Sequence, residues 1–114
     1  MQAFQNILDS IPPNVKAFVI VGDTNMRIAE NDAVEALGLV DAWKQMGSKK
    51  IIENTWDSYV NLYYEDGYKF SCRFDRMYLR GLNCTSFRLM ANTKIDGAYL
   101  SDHFGILTTV MPPS

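Results

Sequence analysis

The feature that most limits how this chain folds is the run Phe18-Val19-Ile20-Val21-Gly22-Asp23-Thr24-Asn25. β-Branched and aromatic residues favour extended backbone, and here they stop at a glycine followed by short polar side chains. The pattern predicts a central strand over 17–21, apolar throughout and buried on both faces. Gly22 lets the backbone bend or approach closely where the strand ends. Alternate residues of an extended chain share a face, so Asp23 and Asn25 are expected to address one site while Thr24 points away.

The rest of the chain must enclose that strand. Its 114 residues amount to one domain. At 47% hydrophobic and 21% charged, the composition is that of an ordered globular chain. A net charge of −2 does not indicate bulk nucleic-acid binding, although a local basic patch stays compatible with it. No apolar run reaches membrane-spanning length, and the start lacks a basic segment followed by an apolar one. Two cysteines, Cys72 and Cys84, do not make a disulfide scaffold. A reducing compartment, nuclear or cytoplasmic, is the expected setting.

Phe4, Ile7, Leu8 and Ile11 recur at helical spacing, so a short amphipathic helix opens the chain and Pro12-Pro13 stops it. A second helix is expected over 29–37, with Ala33, Val34 and Leu37 on one face and Gly38 as its left-handed stop. Leu39, Trp43 and Met46 suggest a third, closed by Gly47. Beyond residue 54 the chain reads as mainly β. It has an aromatic-rich stretch over 59–64, a turn at Glu65-Asp66-Gly67, and strands over 68–71, 74–80, 85–90 and 104–110. In the 74–80 strand, Asp75, Met77 and Leu79 share one face, and Arg76, Tyr78 and Arg80 the other. No repeat or long linker interrupts the series.

Asp23, Asn25, Asp75, Asp102 and His103 each border a predicted strand, and together they suit metal-assisted phosphoester hydrolysis. Mg²⁺ prefers hard oxygen ligands and keeps several waters, so few carboxylates suffice. A carboxylate orients or deprotonates the attacking water, an amide holds it, and an imidazolium offsets charge on the phosphoryl oxygens. Each residue also has a plain structural reading. Gly-Asp-Thr-Asn forms polar turns, lone histidines are often structural, Asp75 fits an exposed strand position, and Trp56 fits a core. Composition and spacing alone stop at an α/β domain.

Several blocks occur in one order: Gly22-Asp23-Thr24-Asn25, Asp41-Ala42-Trp43, Thr55-Trp56-Asp57, Arg73-Phe74-Asp75-Arg76 and Ser101-Asp102-His103-Phe104-Gly105. This series resembles the endonuclease/exonuclease/phosphatase family, and is most similar to the branch that releases tyrosine from a DNA 5′-phosphate in DNA repair. The resemblance runs from about residue 17 to about 110. It implies an α+β fold, half of a four-layer αββα sandwich: one mostly antiparallel mixed sheet with short helices on one face. Residues 1–114 would form the C-terminal half of such a domain.

The same resemblance implies roles and partners. Asp23 would activate the water nucleophile, with Asn25 on the phosphate, His103 at the scissile phosphate and Asp75 paired to His103. Asp102 would belong to the metal or water network, Trp56 would line the substrate cleft, and Arg73 and Arg76 would contact phosphate or brace carboxylates. Magnesium, or manganese in its place, would be the cofactor, and DNA 5′-phosphotyrosyl ends or another phosphoester the substrate. The family's early Asn and principal metal-binding Glu have no counterpart here, so Mg²⁺ binding by this chain is expected to be weak. Half a sandwich also leaves one apolar sheet face to be covered, by a second copy or by a complementary N-terminal half. A binding or assembly module that turns nothing over is the alternative reading.

Overall fold

A computed structural model describes residues 2–64 and 67–113. The expected turn at Glu65-Asp66-Gly67 falls partly on residues outside that range. The elements, in chain order, are α1 (Gln2–Ser10), β1 (Phe18–Asp23), α2 (Asn31–Glu35), β2 (Val40–Asp41), α3 (Ala42–Gln45), β3 (Trp56–Asp57), β4 (Ser71–Cys72), β5 (Asp75–Arg80), β6 (Asn83–Met90) and β7 (Gly105–Met111). The architecture is α+β, as expected. The strands do not form one mixed sheet, however. Among the described residues they form three antiparallel groups, ordered β1-β5-β2, β3-β4 and β6-β7.

The centre of the first group is β5, not β1. Strand β1 pairs with β5 on one side only, and its burial alternates where continuous burial was expected. Val19 and Val21 are 37% and 58% exposed, while Phe18 and Ile20 pack inward. An edge position accounts for this: Val19 lies opposite the fully buried Leu79, so that sheet face is covered at β5 and open at β1. Leu107 and Met111 of β7 add to the exposed apolar surface.

Strand β5 separates two cores, because its successive side chains point to opposite faces. Tyr78 is fully buried among Met26, Val34 and Leu39, with Phe4 and Leu8 of α1 and Phe18 and Ile20 of β1 against them. The Phe4 and Tyr78 rings meet edge to face, with centroids 5.5 Å apart. Leu79, equally buried, joins Ala42, Trp43, Cys84 and Phe87, where Met77, Ile106 and Val110 also pack. Burial of each large aliphatic or phenyl side chain among these stabilises the fold by roughly 1.5–3 kcal/mol. Both cysteines are free.

Local hydrogen bonds explain where the β reading fails. The Asp57 carbonyl accepts from the N–H groups of Val60 (3.2 Å) and Asn61 (2.7 Å), and the Asp57 carboxylate accepts from the Tyr59 N–H (3.1 Å). These bonds form a turn, so residues 59–64 are not a strand despite their aromatic content. The 68–71 strand shrinks to Ser71–Cys72. Gly38 and Gly47 adopt positive φ, 84° and 95°, and end their helices as expected.

Arg73 and Asp41 tie these elements together. Asp41 accepts from Arg73 Nη1 at 3.0 Å and Nη2 at 2.6 Å, and it also caps α3 by accepting from the Trp43 N–H. The guanidinium lies over the Trp43 ring, 4.4 Å from its centroid. Asp41→Asn leaves a buried guanidinium without its counter-charge. It is expected to destabilise the chain by about 3–5 kcal/mol, read as a lowered midpoint in urea unfolding.

Candidate active site

The antiparallel register of β1 and β5 sets Asp23 directly opposite Asp75. Directly paired residues share a face, so both carboxylates project to the same side. His103 stands between them. Its Nδ1 lies 2.6 Å from Asp75 Oδ2, and its Nε2 lies 3.7 Å from Asp23 Oδ2. Ligand-type atoms of the three residues all fall within 4.8 Å of one another.

Each member is held by backbone geometry. Thr24 fastens the end of β1 to β5, because its N–H and hydroxyl both donate to the Phe74 carbonyl, at 2.8 and 2.7 Å. Thr55 joins the remaining two members. Its Oγ1 accepts from the Asp75 N–H at 2.9 Å, and its carbonyl accepts from the Phe104 N–H at 2.7 Å. The His103 N–H donates to Ser101 Oγ at 3.1 Å, and the Ser101 carbonyl accepts from Asn61 Nδ2 at 2.8 Å. Neither Thr55 nor Asn61 stands out in the sequence as a site residue. Thr55 belongs to a recognisable block, whereas Asn61 carries no local signal.

Four aromatic rings wall the site. The Trp56 ring meets the His103 ring edge to face at 5.2 Å and stacks on Phe70 at 5.4 Å. Phe74 lies 6.2 Å from both Trp56 and His103, and Tyr64 lies 6.4 Å from Trp56. The Trp56 Nε1–H is buried without an acceptor among the described residues. Trp56, Phe70, Tyr64 and Asp102 line an adjoining cavity of about 240 Å³.

Asn25 reaches this region by another route than strand alternation. Its φ is 50°, so the strand has ended, and its N–H donates to Asp23 Oδ1 at 3.2 Å in a local turn. Asp102 does not join the carboxylate–histidine cluster. It accepts from Ser101 Oγ at 3.3 Å and lies beside Tyr64, whose phenol its charge pushes upward. As the neighbour of His103 in the chain, it projects elsewhere.

Arg73 and Arg76 likewise do not reach the cluster. Arg73 is committed to Asp41. Arg76, only 1% exposed, lies on the face of β5 opposite Asp75, where its Nε donates to the Arg73 carbonyl at 2.8 Å. Alternation along the strand forces this separation.

Partial burial pulls the His103 imidazole down. The hydrogen bond and charge of Asp75, followed by the charges of Asp23 and Asp102, outweigh that effect and hold its pKa above the ordinary histidine value. The protonated ring therefore persists to higher pH than in an ordinary histidine. Asp75 takes up Nδ1, while Nε2, 3.7 Å from Asp23, makes no hydrogen bond among the described residues, which leaves a donor able to stabilise an anionic transition state.

Fold and site together define an α+β domain of the endonuclease/exonuclease/phosphatase class. No family model matches the chain. It is 36% identical over 106 residues to tyrosyl-DNA phosphodiesterase 2 of Danio rerio, covering 85% of this chain and 29% of that protein. It is 29% identical over 121 residues to the Bos taurus protein of the same name, covering 96% of this chain and 33% of that one. A solved structure of the D. rerio protein, complexed with a single-strand DNA product, superposes with a TM-score of 0.84 at 32% identity, over 96% of this chain and 48% of that one. The chain belongs to the tyrosyl-DNA phosphodiesterase 2 branch of this family. It spans about a third of the length of the curated relatives it matches.

Because its pKa is raised on folding, His103 stabilises the chain fully below the unfolded value of about 6.5. That contribution fades as pH rises through the higher folded value. Thermal melts should therefore show the wild type losing its advantage over His103→Gln as pH climbs from about 6 upward. An unchanged difference across that range contradicts the assigned contacts.

Proposed function

We propose that residues 1–114 form the C-terminal half of an endonuclease/exonuclease/phosphatase-like domain, and that it carries the water-activating and charge-stabilising side of a phosphodiester hydrolase. The bond it addresses joins a tyrosine oxygen to a DNA 5′-phosphate. The observation that carries this reading is the histidine held between Asp75 at 2.6 Å and Asp23 at 3.7 Å, beside an aromatic wall. The relatives support the substrate, through their names and through the single-strand DNA product in one of their structures.

Asp23 is the residue free to act on water. Its side chain is 43% exposed, and its only hydrogen bond among the described residues comes from the Asn25 N–H. Oriented by that bond, the carboxylate takes a proton from water as the water attacks phosphorus. The imidazolium of His103 offsets charge on the non-bridging oxygens, and Asp75 keeps it protonated and in orientation. Trp56 offers a face for the nucleotide beside the scissile bond. Tyrosine, with a side-chain pKa of about 10, leaves with less general-acid help than an alkoxide needs.

The donor set fits a hard divalent cation, with Asp23 and Asp75 as oxygen ligands and water completing the shell. Mg²⁺ bound there would polarise a phosphoryl oxygen and lower the cost of charge development. With Asp75 already committed to His103, the affinity is weak. Asp102, the carboxylate first expected to serve the metal, lies outside this group. A DNA substrate accords with work in the nucleus or cytoplasm.

The exposed Val19 and Val21 beside Asp23 favour a second reading, an assembly module completed by another copy or by an N-terminal half. A mass measurement in solution, together with titration of a tyrosyl oligonucleotide, tests this reading, and a well-behaved monomer with no ligand affinity argues against it. For the hydrolase reading, the chain should release tyrosine from a 5′-tyrosyl oligonucleotide only with Mg²⁺. His103→Ala should cost about 10²–10³-fold, and Asp23→Asn should abolish release. Turnover that survives Asp23→Asn or chelation contradicts this function.

A further inference from the structure

A second cavity, of about 660 Å³, has none of Asp23, Asp75 and His103 in its wall. Two of the residues that line it are buried, Arg76 at 1% exposure and Asn31 at 3%. The Asn31 Oδ1 accepts from Arg76 Nη1 at 2.9 Å and from the Tyr78 hydroxyl. Two donors on one oxygen settle which way the amide faces, because only the carbonyl end can accept. The amide nitrogen Nδ2 is therefore the remaining end, and it is buried with no acceptor among the described residues.

Arg76 shows the same deficit in charge. Its contacts are the Arg73 carbonyl, Asn31 Oδ1 and the Tyr78 hydroxyl, and no carboxylate pairs with it among the described residues. Those contacts use Nε and Nη1, and Nη2 makes no hydrogen bond among the described residues. Arg73 does not share this condition, since Asp41 neutralises it. Arg27, at the wall of the same cavity, lies over the Phe74 ring and also has no carboxylate partner among the described residues. Asp32 and Glu53 line the cavity too, but Asp32 is exposed and Glu53 half-buried, so water screens them far more than it screens Arg76.

A buried guanidinium and an unpartnered amide N–H make one joint demand, for an acceptor that carries negative charge. Water satisfies an N–H donor but does not offset the charge. The volume exceeds that of a bare oxyanion and falls within the ordinary range for organic ligands, and Met26, Ile28 and Trp43 supply apolar wall. We infer that this cavity is a binding site for a small organic molecule bearing an oxyanion, phosphate or carboxylate, which Arg76 and Asn31 hold.

The test is an NMR titration of the full 114-residue chain with phenyl phosphate, with inorganic phosphate, acetate and chloride as comparison probes. It follows the Asn31 side-chain NH₂ and Arg76 Nε–H signals. Phenyl phosphate is expected to shift both saturably, at a dissociation constant several-fold below that of inorganic phosphate. Acetate shifting them more strongly would assign the carboxylate form of the same site, and chloride should leave them unmoved. Asn31→Asp gives Arg76 a carboxylate in place of the free donor, so it should weaken phenyl phosphate binding at least tenfold and raise the melting temperature of the ligand-free chain.

Binding at the carboxylate–histidine cluster is separated by repeating the titration on His103→Ala, which should leave the Asn31 and Arg76 shifts intact. The inference is overturned if the wild-type Asn31 and Arg76 signals stay fixed while only His103 and Trp56 respond. It is equally overturned if Asn31→Asp binds phenyl phosphate as the wild type does. Should Asn31→Asp not fold, the wild-type signals alone decide the matter.

Discussion

Two carboxylates placed face to face across an antiparallel ladder repel one another, and the structure depends on how that repulsion is met. Asp23 and Asp75 are partners in the β1–β5 register, a like-charge pairing that destabilises a sheet when nothing lies between. His103 lies between. One imidazolium turns a repulsive pair into an attractive triad, and the triad in turn holds the histidine's proton. Removing either carboxylate therefore weakens the histidine's hold on its proton.

This constraint explains why so much of the small fold converges on one point. Thr24 locks the end of β1 to Phe74, Thr55 ties the start of β5 to the approach of β7, and Ser101 orients the His103 backbone. These are short hydroxyl-to-backbone bonds with little freedom. The site is thereby fixed by strand ends rather than by long loops, which suits chemistry needing placement within fractions of an ångström. The aromatic wall of Trp56, Phe70 and Phe74 limits water on one side of the histidine. The exposed apolar side of β1 runs directly up to Asp23, so whatever covers that face borders this carboxylate.

Strand and helix positions were largely legible where hydrophobic pattern and glycine punctuation agree, as in Phe18–Asp23, Asp75–Arg80 and the stops at Gly38 and Gly47. Burial was less legible. An apolar run reads the same at an edge as at a centre, because pattern records side-chain chemistry and not how many neighbours a strand has. Residues 59–64 read only as aromatic-rich within a mainly β region, and no pattern there showed that Asp57 draws the N–H groups of Tyr59, Val60 and Asn61 into a turn. Asp23, Asp75 and His103 were legible as members of ordered blocks. Asp102, Arg73 and Arg76 belong to the same blocks but project away, since motif membership does not say which side chain faces inward. Asn31 carried no signal, because its importance comes from an amide settled by Arg76 and Tyr78, which lie more than forty positions later.

The central claim is that His103 is an imidazolium held by Asp75, and the measurement that reaches it most directly is an NMR titration of its ring nitrogens in the wild type and in Asp75→Asn. The contacts require the wild-type ring to titrate above the ordinary histidine value, with its Nδ1 proton protected from exchange. They also require the ring in Asp75→Asn to titrate lower and lose that protection. A wild-type ring that titrates at or below the ordinary value, or one that ignores the loss of the Asp75 charge, would contradict the account at its base.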